Sequence, residues 1–166
     1  QEIRVEQQLP SIEVETRDSP QYAVIWMHGL GADGSDFVPV VPELGLADAP
    51  GVRFIFPHAP EIPVTCNGGY VMRAWYDIVS LDSSSREIDE AGIVQSRKAI
   101  RHLIARENRR GIPCARIILA GFSQGGAVAY ATALTHEDSL AGVIVLSTYI
   151  PTPTLLETEA TVANRA

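Results

Sequence analysis

The chain has 166 residues, 46% of them hydrophobic, with a formal net charge of −7 at pH 7, and this length and apolar content predict a single domain over residues 1–166. The acidic balance argues against a nucleic-acid partner, because the phosphate backbone would be repelled. No apolar run approaches the roughly 20 residues of a membrane-spanning helix, so no membrane span is expected.

The N-terminal part of the chain is predicted to contain four strands and one helix. Residues 3–8 and 12–16 alternate apolar and polar side chains, which predicts two amphipathic strands joined by a turn at a sheet edge. Residues 22–27 and 52–56 are largely apolar, which is typical of central strands covered on both faces. Residues 35–44, between these two strands, are predicted to be helical.

The C-terminal part continues the alternation with longer helices. Residues 88–110 carry apolar side chains at helical spacing, and the small residues 126–134 predict a second helix. Residues 117–120 and 141–146 are apolar runs that predict buried strands, while residues 152–166 fit a loop or a partial helix. Strands that alternate with helices predict an α/β fold, with a mostly parallel sheet and helices on both faces.

The most informative motif is Gly121-Phe122-Ser123-Gln124-Gly125, which lies between a predicted strand and a predicted helix. A tight strand-to-helix turn holds a nucleophile in a strained backbone conformation and leaves no room for side chains two positions before and after it. Gly121 and Gly125 meet that requirement. The motif therefore predicts that Ser123 is a nucleophile, and the alternative is a glycine-rich turn with an idle serine.

A second glycine-rich turn, His28-Gly29-Leu30-Gly31, follows the first central strand. A serine that attacks an acyl group needs two backbone N–H groups directed at the oxyanion, one from the residue after the nucleophile and one from such an early loop. We therefore predict that Leu30 and Gln124 supply the oxyanion hole. His28 is predicted to tie the loop together by hydrogen bonds, because the base in this architecture follows the serine in sequence. The glycine spacing fits neither a dinucleotide nor a phosphate loop.

Four further motifs follow in order: Pro57-His58-Ala59-Pro60, Asn67-Gly68-Gly69 with Met72 and Trp75-Tyr76-Asp77-Ile78, Asp89-Glu90-Ala91-Gly92-Ile93, and Leu146-Ser147-Thr148-Tyr149. Together with the two glycine-rich turns, they resemble the carboxylesterase, lysophospholipase and acyl-protein thioesterase family of the α/β-hydrolase fold. The resemblance implies that Ser123 is the nucleophile and that residues 61–78 form a flap over an acyl groove. Met72 and Trp75 would line that groove, although core packing is an equal alternative for both, and Asp77 is predicted to be structural.

The chain departs from this family in the residues that would activate Ser123. A serine hydroxyl needs a histidine oriented by a carboxylate, and this fold supplies them in the order Ser, Asp or Glu, His. After Ser123 the sole histidine is His136, beside Asp138, and helical rise places His136 roughly 20 Å away. Glu157 and Glu159 are late enough for the acid, but no histidine follows them. We therefore expect that the triad Asp and His, with the C-terminal strands and helices of the fold, are missing from this chain.

Packing of residues 141–146 leads to the same expectation. This strand is apolar on both faces, so it should be interior to the sheet, but no later segment has the pattern of a strand that could lie beside it. An uncovered apolar sheet edge is therefore expected. Something else should cover it, by formation of a homo-oligomer or by other association through that edge.

These patterns together predict a serine esterase that forms an acyl-enzyme on Ser123 and cleaves short- to medium-chain acyl esters, with a small-molecule ester as substrate and neither metal nor organic cofactor. The alternatives are a lysophospholipase, an acyl-protein thioesterase or, from another class, a non-catalytic scaffold of the same fold that lacks a complete triad. Cys66 and Cys114 have no paired spacing and are predicted to be reduced thiols, which favours a cytoplasmic location.

Overall fold

The computed structural model describes residues 8–80, 88–151 and 153–164. Within these ranges no helix is both long enough and apolar enough to cross a membrane. The strands are β1 Ser11–Glu15, β2 Tyr22–Met27, β3 Val52–Pro57, β4 Glu61–Val64, β5 Tyr70–Arg73, β6 Ile117–Phe122 and β7 Gly142–Leu146. The α-helices are α1 Glu90–Arg109, α2 Gln124–Leu134 and α3 Pro153–Glu159, and short 3-10 helices lie at Val38–Leu44, Thr65–Asn67 and Cys114–Arg116.

Five strands form the central sheet in the order β1-β3-β2-β6-β7. β3, β2, β6 and β7 run parallel, and β1 is antiparallel to β3 at one edge. The predicted α/β fold with a mostly parallel sheet is therefore confirmed. The strand predicted at residues 12–16 corresponds to β1, whereas residues 3–7 of the strand predicted before it lie outside the described residues.

Side chains on the two faces of the sheet pack into two separate clusters. On one face α1 and α2 cover β2 and β6, and the fully buried residues there include Ile25, Met27, Ile100, Leu103, Ile117, Leu119, Ala127 and Val128. On the other face Val41 packs near Trp26 and Phe56. Val41 belongs to Val38–Leu44, which is a 3-10 helix and not the predicted α-helix, because Pro39 and Pro42 each remove a backbone donor.

A separate antiparallel hairpin, which the sequence did not predict, is formed by β4 and β5. The chain turns between them at Gly68 and Gly69, which have φ angles of 66° and 77°. Residues that carry a side chain rarely adopt such backbone angles, so the two glycines permit the turn. The hairpin lies within the segment predicted as a flap, and Tyr70 at its turn is 73% exposed.

β7 is an edge strand, because among the described residues it pairs with β6 alone. Val143 and Val145 are partly buried against the cluster under α2, whereas Ile144 and Leu146 are 47% and 40% exposed on the opposite face. Residues 141–146 are thus less buried than their apolar pattern predicts, because in the described part of the chain α2 packs against only one face of the strand. The uncovered apolar edge is present, and no described segment lies over it.

Candidate active site

Ser123 occupies the turn between β6 and α2, with φ of 53° and ψ of −117°. A positive φ is uncommon for a residue other than glycine and is kept only where the surroundings enforce it. Here the Ser123 N–H donates to Leu146 O at 2.8 Å, and Ser123 O accepts from the Thr148 hydroxyl at 2.6 Å. The strained turn is thus fixed from both sides of the peptide, while the serine side chain is partly exposed to solvent.

The glycines around Ser123 lie where any side chain would collide with backbone. A Cβ on Gly121 would lie 2.3 Å from Gly125 O, and a Cβ on Gly125 would lie 2.3 Å from Met27 O and 2.4 Å from His28 O. Observed Cβ contacts essentially never fall below 3.0 Å. The glycine spacing of the motif therefore reflects direct backbone contact between the start of α2, the end of β6 and the end of β2.

The loop after β2 lies beside the serine, because β2 and β6 are neighbouring parallel strands with Met27 opposite Gly121. The Gly31 N–H donates to Arg73 O at 2.9 Å, which joins this loop to β5. Within the described part of the chain, no hydrogen bond uses the Leu30 N–H or the Gln124 N–H. The structure thus brings the two predicted oxyanion donors to the same end of the sheet as Ser123, and their N–H groups are uncommitted there.

His28 is buried, and both of its ring nitrogens are engaged. Nε2 accepts from the Ala59 N–H at 3.0 Å, and Nδ1 lies 2.7 Å from Gly29 O. This pattern requires the neutral tautomer with its proton on Nδ1, since a carbonyl can only accept. Burial lowers the pKa of His28, which keeps the ring neutral at pH 7. The contacts match the structural role predicted for His28 and leave neither nitrogen to act as a base.

The Gln124 side chain is buried and clamps the segment that follows β5. Its Oε1 accepts from the Trp75 N–H at 2.8 Å, and its Nε2 donates to Tyr76 O at 2.7 Å. The motif predicted a role only for the Gln124 N–H, and these side-chain contacts were not predicted. The available signal was the residue type, a long amide at the start of a helix that is otherwise small and apolar.

The two predicted groove residues lie in different surroundings. Trp75 is 2% exposed, its Nε1 donates to His28 O at 2.8 Å, and it borders a cavity of about 370 Å³ together with Ile62. Met72 instead places its sulfur 3.8 Å from where a Cβ on Gly31 would lie, next to the predicted oxyanion loop. The described residues that line the cavity do not include Ser123, so the cavity is not itself the reaction site.

Asp77 and Asp89 form hydrogen bonds that hold the segment after β5 in place. The Asp77 carboxylate accepts from the Thr65 hydroxyl at 2.5 Å and the Thr65 N–H at 2.8 Å, and these bonds lower the pKa of Asp77. Its own N–H donates to the Asp89 carboxylate, which also caps α1 through the Gly92 N–H at 3.0 Å. Asp77 therefore has the structural role that the sequence analysis predicted.

No hydrogen bond joins the Ser123 hydroxyl to a histidine within residues 8–80, 88–151 and 153–164. His58 accepts from the Gly34 N–H through Nδ1, and His102 belongs to α1. His136 follows α2, and the 11 residues of this helix separate it from Ser123 by about 16 Å of helical rise. None of these histidines is placed to accept the serine proton, in agreement with the sequence analysis.

A parallel sheet that carries a serine with positive φ at a strand-to-helix turn, beside an early loop with a free N–H, defines an α/β-hydrolase. The sequence profile of one such family, phospholipase/carboxylesterase, matches residues 9–166. The chain belongs to the phospholipase/carboxylesterase family, and the resemblance predicted from the ordered motifs is confirmed.

Individual relatives agree with this assignment. Acyl-protein thioesterase 1 of Cryptococcus neoformans is 41% identical over 145 residues, which cover 86% of this chain and 60% of the relative. The Neurospora crassa protein of the same name is 44% identical over 132 residues, 76% of this chain and 54% of that protein. The crystal structure of Arabidopsis thaliana SOBER1 has a TM-score of 0.80 at 30% identity, covering 86% of this chain and 69% of that one. The chain thus spans less than two thirds of the length of these curated thioesterases.

Proposed function

We propose that Ser123 is the nucleophile of a serine hydrolase that cleaves acyl thioesters or esters through an acyl-enzyme. The observation that supports this most directly is the strained conformation of Ser123, with φ of 53°, held by hydrogen bonds from its neighbours. Strain of this kind concentrates at functional sites, because a residue without a function there could relax at little loss.

In the proposed reaction the Ser123 oxygen attacks the acyl carbonyl carbon, and the carbonyl oxygen becomes an oxyanion that the Leu30 and Gln124 N–H groups stabilise. Collapse of this intermediate breaks the bond to the leaving thiolate or alkoxide and leaves an acyl ester on Ser123. Water then attacks that ester and releases the acid. The serine proton passes to a general base and from it to the leaving group. None of the described residues is placed to act as this base.

The names of the relatives bear on the substrate. The two proteins at 41% and 44% identity are both acyl-protein thioesterases, which favours a thioester over the oxygen ester that the sequence analysis placed first. Both substrates present the same acyl carbonyl to Ser123, and the thiolate is the better leaving group. We propose that Met72, beside the oxyanion loop, contacts the acyl chain and that Trp75 supports the groove from within the core.

The alternative of a non-catalytic scaffold has one observation in its favour, the lack of a base beside Ser123 among the described residues. A fluorophosphonate probe separates the two proposals, since it labels only an activated serine. Labelling of the full-length protein should be lost in Ser123→Ala. Ser147→Ala is a matched control, because Ser147 is exposed and also has a positive φ, of 50°. Equal labelling of Ser123→Ala and the unmodified protein would exclude Ser123 as the nucleophile.

Substrate class is tested with a p-nitrophenyl ester and an acyl thiocholine that carry the same acyl chain. We expect the thioester to have the higher kcat/KM, and Met72→Ala to raise KM more for long chains than for acetyl. A higher kcat/KM for the oxygen ester at every chain length would restore the esterase assignment, without affecting the role of Ser123.

A further inference from the structure

Three side chains with metal-binding chemistry meet at the end of β6 that is remote from Ser123. Cys114 lies in the 3-10 helix directly before β6, and His136 and Asp138 lie in the turn after α2. One ligand atom of each residue lies within 4.8 Å of those of the other two. The cysteine is too far from the other two in sequence to form a spacing motif, so only the fold reveals the cluster.

We propose that Cys114, His136 and Asp138 bind a divalent transition-metal ion, with zinc preferred. Thiolate, imidazole and carboxylate are the ligand types that zinc takes in proteins, and the two anionic ligands balance the charge of the ion. Zinc bonds of about 2.0–2.3 Å place tetrahedral ligand atoms about 3.5 Å apart, so closure of the present cluster needs shifts of about 1 Å. Asp138 is exposed and the other two side chains are partly exposed, which permits such shifts.

The surroundings of the cluster fit an ion with a water as fourth ligand. A cavity of about 290 Å³ opens beside it, lined by His136, Glu137 and Asp138 together with Asn108 and Arg101. The one cation in this lining, Arg101, has its guanidinium directed at Thr135 O, to which it donates at 2.7 Å. The carboxylates of Glu137 and Asp138 outnumber it, and a Cys114 thiolate would add a further negative charge.

Neighbouring groups also orient the ligands. The Nδ1 atom of His136 lies 3.0 Å from Asp138 O and 3.2 Å from the Asp138 backbone nitrogen, so it can donate to the carbonyl or accept from the N–H. Metal binding through Nε2 uses the first of these tautomers, with the proton on Nδ1. The Cys114 thiol donates to the Asn108 carboxamide oxygen at 3.5 Å, a hydrogen bond that is lost when the thiol is deprotonated to bind the ion. The His136 carbonyl accepts from the Thr161 hydroxyl, which ties the turn to the segment after α3. The bound ion would link the start of β6 to the end of α2 and would stabilise the fold without entering the reaction at Ser123.

Cobalt titration of the reduced, metal-free 166-residue protein tests the proposal, because a thiolate bound to Co²⁺ gives a near-ultraviolet charge-transfer band and a tetrahedral site gives visible absorption. We expect both bands in the unmodified protein and in Cys66→Ser, which removes the other cysteine. Cys114→Ser should abolish the charge-transfer band, and ZnCl2 should displace the cobalt. Cys114→Ser and His136→Asn should each weaken zinc binding at least about tenfold.

Thermal unfolding with and without ZnCl2 provides a second measurement that does not depend on the variants. Zinc should raise the unfolding midpoint of the unmodified protein and of Cys66→Ser, and should leave that of His136→Asn unchanged. An unmodified protein that shows neither the cobalt bands nor a zinc-dependent midpoint would overturn the proposal. Bands that persist in Cys114→Ser and vanish in Cys66→Ser would overturn it as well.

Discussion

Gln124 is joined to Trp75 by a hydrogen bond of 2.8 Å between its side-chain oxygen and the Trp75 N–H, so the residue after the serine holds a segment 49 positions earlier in the chain. The same side chain donates to Tyr76 O, and the Trp75 indole donates to His28 O. The Gln124 amide and the Trp75 indole together therefore fix the strand-to-helix turn, the segment after β5 and the loop after β2 with respect to one another. The turn and the loop carry the proposed nucleophile and oxyanion donors, and the segment after β5 carries Trp75.

We expect Gln124→Ala to reduce the free energy of unfolding by about 2–4 kcal/mol, because it removes two buried hydrogen bonds, one of which satisfies the Trp75 N–H. Urea denaturation measures the change. Gln95→Ala in α1 is the matched control, since Gln95 is exposed, and it should alter stability by less than about 0.5 kcal/mol. Equal stabilities for the two variants would show that the Gln124 contacts contribute nothing measurable.

Gly125→Ala should destabilise the protein by more than about 3 kcal/mol or prevent folding, because the added methyl group would meet two backbone carbonyls that belong to β2 and its loop. Gly142→Ala introduces the same methyl group where nothing lies within 4 Å, and it should change the free energy of unfolding by less than about 1 kcal/mol. Circular dichroism and urea denaturation of both variants check this. A stable, native Gly125→Ala protein would contradict the close contact between α2 and β2.

Stability should fall as the pH drops below about 6.5, owing to His28. Burial lowers the pKa of the folded ring, so between the folded and unfolded pKa values the unfolded chain binds more protons and is favoured. The expected slope is at most about 1.4 kcal/mol per pH unit, with the contribution complete above the unfolded pKa. Hydrogen bonding to Arg110 lowers the pKa of Glu13, and hydrogen bonding to Thr65 lowers that of Asp77, but these contributions fall only in more acidic solution, below the ordinary values of 4.5 and 3.8.

Urea denaturation at about pH 7.5 and pH 5.5 measures this slope, since the interval spans the unfolded pKa of histidine. His28→Gln should be less stable than the unmodified protein at the higher pH and should show a smaller difference in stability between the two pH values. A pH dependence that His28→Gln leaves unaltered would assign the effect to other groups.

The 166-residue chain by itself should hydrolyse p-nitrophenyl acetate and acyl thiocholine far more slowly than a serine hydrolase with a complete triad. Loss of the base and its carboxylate in a serine hydrolase leaves an acceleration of about 10³–10⁴ over water, from the oxyanion hole and binding. The assay compares the chain with its Ser123→Ala variant, with the mass of each preparation verified. Full turnover by the chain, together with loss of turnover in Ser123→Ala, would show that a base lies within these residues.

Much of the fold could be predicted because its signals are local. The strands around Ile25, Ile55 and Leu119 are apolar runs bounded by turns, and the glycine spacing around Ser123 is typical of a strand-to-helix turn that carries a nucleophile. The hairpin of β4 and β5 was missed because each strand has only four residues and β4 contains Pro63, which counts against a strand. The roles of the Gln124 side chain and the Cys114 cluster depend on partners distant in sequence, which no local pattern encodes.

Two hydrogen bonds connect Ser123 to β7, an edge strand of the described sheet, and to the residues just after it. Leu146 at the end of β7 accepts the Ser123 N–H, and Thr148 just beyond it donates to Ser123 O, so motion of this strand reaches the serine through two hydrogen bonds. As the proposed nucleophile, Ser123 should therefore vary in reactivity with how well that strand is ordered. A strand paired along β7 would restrict motion at the serine without contacting the substrate. A chain in which β7 stays unpaired would hold the Ser123 hydroxyl in a less well-defined position, even with a base supplied.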